Sequence, residues 1–174
     1  EPEIHLHPYM QRSLIKYLKA VINNENEDFK QLIKDLFDID KFIGQIIAAS
    51  ILIHLGGIRL DSMYGLLGFE QLPEGFSLAL SYFTIIVIIN SFNLIDGVDG
   101  LASSLGILTM IVFGSYFFAI EYQAYALLSF AMAGSLVAFI IFNHHPAKIF
   151  MGDSGSLMIG LVNSILVIKF INVA

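Results

Sequence analysis

The sequence predicts an all-α, polytopic transmembrane helical bundle with about five spans. Hydrophobic residues make up 56% of the 174 residues, charged residues only 14%, and the mean hydropathy is +0.75. Soluble domains of this size are much more polar. Five apolar runs each approach the roughly 20 residues that a helix needs to cross a bilayer. Helices buried in a soluble bundle are the alternative, but five such runs would leave that bundle too little polar surface.

Residues 1–41 form a polar, partly amphipathic segment that we expect to be cytoplasmic or interfacial. Apolar residues recur there at helical spacing in 14–22 and again in 29–37. The chain opens on Glu1 without a signal-peptide pattern. We therefore interpret the sequence as a piece of a longer or processed protein.

Residues 42–174 are predicted to form the transmembrane core, with polar loops at 93–101 and 143–155. The predicted helices, numbered 1 to 5, cover 42–58, 76–95, 101–120, 123–142 and 155–172. Ionisable residues gather at the ends of these helices, whereas a transport protein would place some of them near the bilayer midplane. This pattern favours an enzyme that works at the membrane surface.

The basic residues orient the predicted bundle. The segment before helix 1, the loop 2–3 and the loop 4–5 share one side of the membrane. The basic residues of that side are Arg12, Lys16, Lys19, Lys30, Lys34, Lys41 and Lys148. The other side has only Arg59 and Lys169. By the positive-inside rule, both polar loops therefore face the cytoplasm.

The first loop offers oxygen ligands at a regular spacing. Asn93, Asp96 and Asp99 are three residues apart, so on a continuous helix they would lie on adjacent turns of nearly one face. A carboxamide and two carboxylates are hard ligands that suit Mg²⁺ or Mn²⁺. The alternative is that Asn93 and Asp96 merely cap helix 3.

The second loop combines a carboxylate with groups that suit phosphate. His145-Pro146 ends helix 4, and Asp153 lies where it could cap helix 5. The hydroxyls of Ser154 and Ser156 would suit a phosphate held at the positive end of that helix. Lys148 is the only cation in either loop, and it is either a phosphate ligand or a plain positive-inside residue. His144 and His145 are metal ligands or interfacial residues.

These observations alone predict a membrane protein with a cytoplasmic, metal-dependent phosphate site, but no particular reaction. The chain has no cysteine, which excludes a thiolate metal site. It also has no basic patch, so nucleic acid is not expected as a partner.

Two motifs carry a specific resemblance. Residues 93–102 read NLIDGVDGLA and residues 146–157 read PAKIFMGDSGSL. They resemble the NLxDGxDGLA and PAxIFMGDxGSL signatures of the polyprenyl-phosphate N-acetylhexosamine-1-phosphate transferases, the superfamily of phospho-N-acetylmuramoyl-pentapeptide transferase. Residues 41–45, KFIGQ, resemble the Lys-x-x-Gly-Gln start of a family helix, and 58–66 resemble the outer segment that follows it.

The resemblance implies transfer of N-acetylhexosamine-1-phosphate from a UDP-sugar to undecaprenyl phosphate, which releases UMP and initiates lipid-linked cell-envelope polysaccharide. It implies a multi-pass protein of the cell (inner or plasma) membrane whose partners are the UDP-N-acetylhexosamine, undecaprenyl phosphate and the bilayer; a homodimer is a further expectation. The implied cofactor is Mg²⁺ or Mn²⁺. Asp153 and Asn93 would bind this metal. Asp96 and Asp99 would be the catalytic carboxylates, which position either the metal or the attacking phosphate. The implied phosphate- or substrate-binding residues are Lys148, Asn143, His145, Ser154 and Ser156.

The chain departs from the family pattern in three places. The adjacent Asp-Asp pair expected upstream of Lys41 is replaced by Gln31-Leu32. The family's upstream helices are missing, as are its later histidine loop and the helices after it. His5-Leu-His7 lies at the wrong end of the chain to take that role. The alternatives are therefore a piece that is inactive alone, or a degenerate scaffold or transport protein of the same fold.

Overall fold

The computed structural model describes residues 39–62 and 71–173, and there it contains five α-helices. They are α1 (Ile39–His54), α2 (Glu74–Ile95), α3 (Leu101–Ala119), α4 (Gln123–Asn143) and α5 (Gly152–Val173). The all-α prediction is confirmed, and each predicted helix has its counterpart. The amphipathic stretches predicted before α1, and the part of the outer segment at 64–66, lie outside the described residues.

Four of these helices, α2 to α5, are long and apolar enough to cross a membrane, with 19 to 22 residues each. The shorter α1 has 16 residues. At about 1.5 Å per residue it spans roughly 24 Å, less than the ~30 Å of a hydrocarbon core. It ends before the predicted residue 58 because the chain turns at Gly56-Gly57, where Gly57 adopts a left-handed conformation with φ 62°.

The central helix of the described bundle is α5. Its Ile168 packs into a cluster with Ala49 of α1 and Ile85 and Ile89 of α2. Its Leu166 packs into a second cluster, which includes Met110 and Phe117 of α3 and Ala126 and Ala133 of α4. The bundle thus consists of α1 and α2 on one side of α5 and the α3–α4 hairpin on the other.

The described parts of the α1–α2 connection lie at the same end of the bundle as the α3–α4 turn. There, Asn172 of α5 donates a hydrogen bond to the carbonyl of Arg59 at 2.6 Å. The ammonium of Lys169 lies 5.0 Å from the ring centroid of Tyr122 and 5.5 Å from that of Tyr125. The other two polar loops lie at the opposite end, where the candidate site is found.

Candidate active site

Side chains from both signature loops meet at one end of the bundle, the end at which α1 and α5 begin. Asn93, in the last turn of α2, donates hydrogen bonds to Asp153 Oδ1 (3.1 Å) and Ser156 Oγ (2.9 Å) in the first turn of α5. The Ser156 hydroxyl is completely buried. Residues 60 positions apart in sequence are therefore neighbours, as the predicted arrangement of the loops on one side of the bundle requires.

Asp153 also forms an ion pair with the ammonium of Lys41 at the start of α1. In the sequence, Lys41 is a basic residue that orients the bundle and the start of the Lys-x-x-Gly-Gln motif, but no role for this residue in the site is predicted. The signal that could have identified it is the Lys-x-x-Gly-Gln motif, which places the lysine at the beginning of a helix. Three helices thus contribute to the surroundings of one carboxylate.

Asp99 is directed to the other signature loop and not to Asp153. Its carboxylate is only 9% exposed, accepts a hydrogen bond from the backbone N–H of Ala147 (3.2 Å), and lies 3.3 Å from His145 Nδ1. Because α2 ends at Ile95, the chain turns between Asp96 and Asp99. The continuous helix on which Asn93, Asp96 and Asp99 would share a face is therefore not formed, and the Asp99 side chain instead contacts the α4–α5 loop.

Asn143 ties the two signature loops together from within. Its side chain is buried, with 4% exposure. Its Oδ1 accepts hydrogen bonds from the backbone N–H of Gly100 (3.1 Å) and the hydroxyl of Ser103 (2.9 Å), and its Nδ2 donates to the carbonyl of Ile149 (3.0 Å). Direct substrate binding by Asn143 stays a prediction, but its Oδ1 already accepts two hydrogen bonds within the protein and its Nδ2 donates one.

The capping interpretations differ from the structure. The N-cap of α3 is Gly100, with φ 74° and no side-chain capping bond, so neither Asn93 nor Asp96 caps that helix. Asp96 is instead the C-cap of α2. Asp153 lies inside the first turn of α5, which begins at Gly152, three residues before the predicted start.

Lys148 in the α4–α5 loop and Ser154 in the first turn of α5 are both exposed. Within the described part of the chain, the structure records no hydrogen bond or ion pair for either side chain. His145 is half-exposed, with 49% of its side chain accessible. An ammonium and a hydroxyl of this kind are available to bind phosphate oxygens.

The carboxyl group of Asp96 binds its proton more tightly than an ordinary aspartate does. Burial is the largest cause, followed by the negative charge of Asp153, and together they raise the pKa of Asp96 to about 6. A backbone hydrogen bond at Gly152 opposes this shift. Two carboxylates that destabilise each other's charge create a demand for a cation between them.

This pKa predicts the pH dependence of a variant. Because the folded protein holds the Asp96 proton more tightly than the unfolded chain does, the carboxyl destabilises the fold as the pH rises from 3.8 through about 6. Asp96→Asn should therefore raise the Tm in EDTA at pH 7.5 by about 1–2 °C, after allowance for solvent screening, and less at pH 4.5. Thermal unfolding by circular dichroism measures this difference.

The matched control is Glu121→Gln, which neutralises an exposed carboxylate in the α3–α4 turn. A surface change of this kind should leave the Tm nearly constant at both pH values. An Asp96→Asn protein that is less stable than its parent at pH 7.5 would contradict the prediction.

The donor set at Asp153 fits a hard divalent cation, although it is small. Among the described residues, no three His, Cys, Asp or Glu side chains come together as a metal cluster. The oxygen-bearing groups are instead two carboxylates and one carboxamide, those of Asp96, Asp153 and Asn93. Asp153 already attracts an ammonium and an amide N–H, which are the groups that a cation would replace.

Comparison with known proteins identifies the family. A family model described as "Glycosyl transferase family 4" matches residues 26–171. The chain belongs to glycosyl transferase family 4. With its apolar helices, this membership indicates a multi-pass membrane protein.

The relatives within this family include two kinds of named enzyme. The chain is 37% identical over 145 residues to decaprenyl-phosphate N-acetylglucosaminephosphotransferase of Mycobacterium tuberculosis, covering 75% of the chain and 36% of that protein. It is 39% identical over 131 residues to phospho-N-acetylmuramoyl-pentapeptide-transferase of Listeria monocytogenes, covering 69% and 38%. The Lactobacillus acidophilus enzyme of the same name is 46% identical over 91 residues, covering 47% and 27%. The chain therefore spans a little over a third of the length of the first two relatives. The family match and these relatives confirm the resemblance that the two signatures indicate.

Proposed function

We propose that this chain transfers N-acetylhexosamine-1-phosphate from a UDP-sugar to undecaprenyl phosphate and releases UMP. The names of the mycobacterial and Listeria relatives support the reaction class, because both describe transfer of a phosphorylated group. The observation that carries the proposal is the convergence on Asp153: Asn93 from the first signature and Lys41 from the start of α1 both contact its carboxylate.

The reaction joins two anions. An oxygen of the lipid phosphate attacks the sugar-bearing phosphorus of the donor, and a new P–O bond forms. The bond from that phosphorus to the bridging oxygen breaks, and UMP leaves with the oxygen. The lipid phosphate is already ionised at neutral pH, so the main task of the site is to overcome the repulsion between the reactants.

The site residues divide this task. Asp153, Asn93 and Asp96 would hold Mg²⁺ or Mn²⁺, which, when bound, offsets the negative charge of both phosphates and of the leaving group. Lys148 in the α4–α5 loop and Ser154 in the first turn of α5 would bind phosphate oxygens, together with the half-exposed His145. The geometry of Asp99, Asn143 and Ser156 supports a positioning role for each, since they link the two loops or anchor Asn93.

We further propose that this end of the bundle faces the cytoplasm. Lys41 and Lys148 lie at this end, whereas Arg59 and Lys169 lie at the other. The polar segment before α1 adds further basic residues to the same side. A cytoplasmic site would have direct access to a nucleotide-activated sugar.

A transfer assay tests the proposal. The chain in lipid nanodiscs is incubated with UDP-N-acetylglucosamine and undecaprenyl phosphate, and UMP and the lipid-linked sugar diphosphate are measured by mass spectrometry. We expect equal amounts of the two products, loss of both in EDTA, and recovery on addition of Mg²⁺.

The outcomes separate the alternatives. UMP without the lipid product would indicate hydrolysis and contradict the proposed transfer. Mg²⁺-dependent donor binding without turnover would support the proposed site. It would also favour the alternative that this chain is a piece that is inactive without the family's Asp-Asp pair. Absence of both binding and turnover would favour the degenerate scaffold.

A further inference from the structure

Gln45 of α1 and Asn90 of α2 exchange two hydrogen bonds across the helix interface. Gln45 Nε2 donates to Asn90 Oδ1 at 3.1 Å, and Asn90 Nδ2 donates to Gln45 Oε1 at 3.0 Å. Asn90 Nδ2 also donates to the carbonyl of Ile86 at 2.9 Å. Gln45 is 6% exposed. Each amide in this pair satisfies the other in an apolar part of the bundle, where an unpaired amide would be costly.

This amide pair lies one helical turn from the candidate site on both helices. Gln45 follows Lys41 by four residues, and Asn90 precedes Asn93 by three. Lys41 and Asn93 both contact the Asp153 carboxylate. The amide pair therefore joins the two helices that carry these side chains, close to the points where the side chains project.

The apolar contacts of α1 are poorly suited to fix its register. Ala49 and Ile53 pack against Ile85 and Ile89, and apolar contacts of this kind have no preferred direction. Two further polar contacts join α1 to α2 at Tyr82, whose hydroxyl lies 2.8 Å from the Ser50 hydroxyl and 3.4 Å from His54 Nε2, but they lie further from the site. A slide of one residue would move Lys41 about 1.5 Å along the axis and turn it by about 100°. A reciprocal amide pair resists such a slide, as buried polar residues do in other helix pairs.

We propose that Gln45 and Asn90 are positioning residues that hold α1 in the register at which the Lys41 ammonium lies on Asp153. This placement sets the affinity of the carboxylate for a divalent cation, a consequence that rests on the proposed function. The ammonium and the cation repel each other and compete for the same oxygens. Loosening α1 should therefore strengthen cation binding while it slows transfer, because the ammonium would no longer be held at Asp153, where the proposed reaction takes place.

The test uses nitroxide labels, for which the absence of native cysteine is an advantage. Ile43→Cys on α1 and Met158→Cys on α5 replace residues that are 49% and 58% exposed. Electron paramagnetic resonance then gives the distance distribution between the labels in nanodiscs without metal. The variants are Gln45→Leu, Gln45→Asn, and the exchanged pair Gln45→Asn with Asn90→Gln. Mn²⁺ affinity is measured on unlabelled samples, and circular dichroism confirms that each variant is folded.

We expect a narrow distance distribution in the parent protein, broader ones in both single variants, and a narrow one again in the exchanged pair. Mn²⁺ should bind about threefold more tightly to the single variants, as expected for loss of a partly exposed ion pair, and return to the parent affinity in the exchanged pair. If the amide pair only stabilises the fold, the single variants should have a lower Tm but an unchanged Mn²⁺ affinity. This result would overturn the proposal.

The proposal would also be overturned if Gln45→Leu and Gln45→Asn both gave a distance distribution as narrow as that of the parent. It would equally be overturned if Gln45→Asn is folded with a broad distribution and the exchanged pair does not make that distribution narrow again. If Gln45→Leu does not fold, the smaller Gln45→Asn change decides. Absence of UMP release by the parent would count against the proposed function alone, because the label distances do not depend on turnover or on metal.

Discussion

Asp153→Asn should reduce transfer by about 10²–10³-fold, the range seen when one preorganised electrostatic group is removed from an active site. The substitution keeps the size of the side chain and an oxygen that can accept the hydrogen bond from Asn93. It removes the negative charge that pairs with Lys41 and that would bind the cation. Mn²⁺ affinity should fall at least tenfold, because a neutral amide is a much weaker ligand for a hard cation. UMP release and Mn²⁺ titration measure the two effects.

The control for this variant is Asp61→Asn at the opposite end of the bundle. Asp61 is exposed and pairs with Arg59 at 2.7 Å, so the same chemical change is made far from the proposed metal ligands. It should retain the parent activity and Mn²⁺ affinity. If Asp153→Asn leaves cation and nucleotide binding intact, the site proposed here is wrong.

The helices could be predicted because their signal is local. Apolar runs of membrane length and the polar residues between them fix five helices, and their alternation fixes which loops share an end of the bundle. The contact between the buried Asn143 and Gly100 confirms that sharing for the two signature loops. No knowledge of tertiary contacts is needed for this part of the fold.

The division of labour among the carboxylates could not be predicted in the same way. Spacing places Asp96 and Asp99 together only if the helix continues, and the chain leaves the helix after Ile95. Whether Asp99 then turns to Asp153 or to the α4–α5 loop depends on the position of Ala147, which is 48 residues away. The ion pair of Lys41 could not be predicted for the same reason, since it requires the start of α1 to lie near the first turn of α5. Sequence spacing predicts the composition of the site better than its connections.

A close approach of α2 and α5 depends on a glycine. A Cβ atom added to Gly160 of α5 would lie 2.6 Å from the Cα of Ile89 and 3.2 Å from its carbonyl oxygen on α2. These are backbone atoms, which cannot move away by changing a rotamer. At Gly106, by contrast, the nearest atom is the flexible end of the Leu136 side chain, at 2.8 Å. The sequence shows both glycines inside helices but does not distinguish their surroundings.

Gly160→Ala should therefore destabilise the protein by about 1–3 kcal/mol, the usual cost of overpacking. The added methyl group must push α2 and α5 apart, and packing is a main source of helix association within a membrane. Because Ser156 lies one turn from Gly160, the 2.9 Å hydrogen bond from Asn93 to Ser156 should weaken as well. We expect a lower Tm by circular dichroism and lower Mg²⁺-dependent transfer in the same variant.

Gly134→Ala is the matched control, because a Cβ atom at Gly134 of α4 would have no heavy atom within 4 Å. Both substitutions gain the same helix propensity, about 1 kcal/mol for glycine to alanine in a helix interior. The difference between their Tm values thus isolates the clash with Ile89. If Gly160→Ala is as stable as Gly134→Ala, α2 and α5 can separate at Gly160 without cost. Their close approach then does not align Asn93 with the first turn of α5.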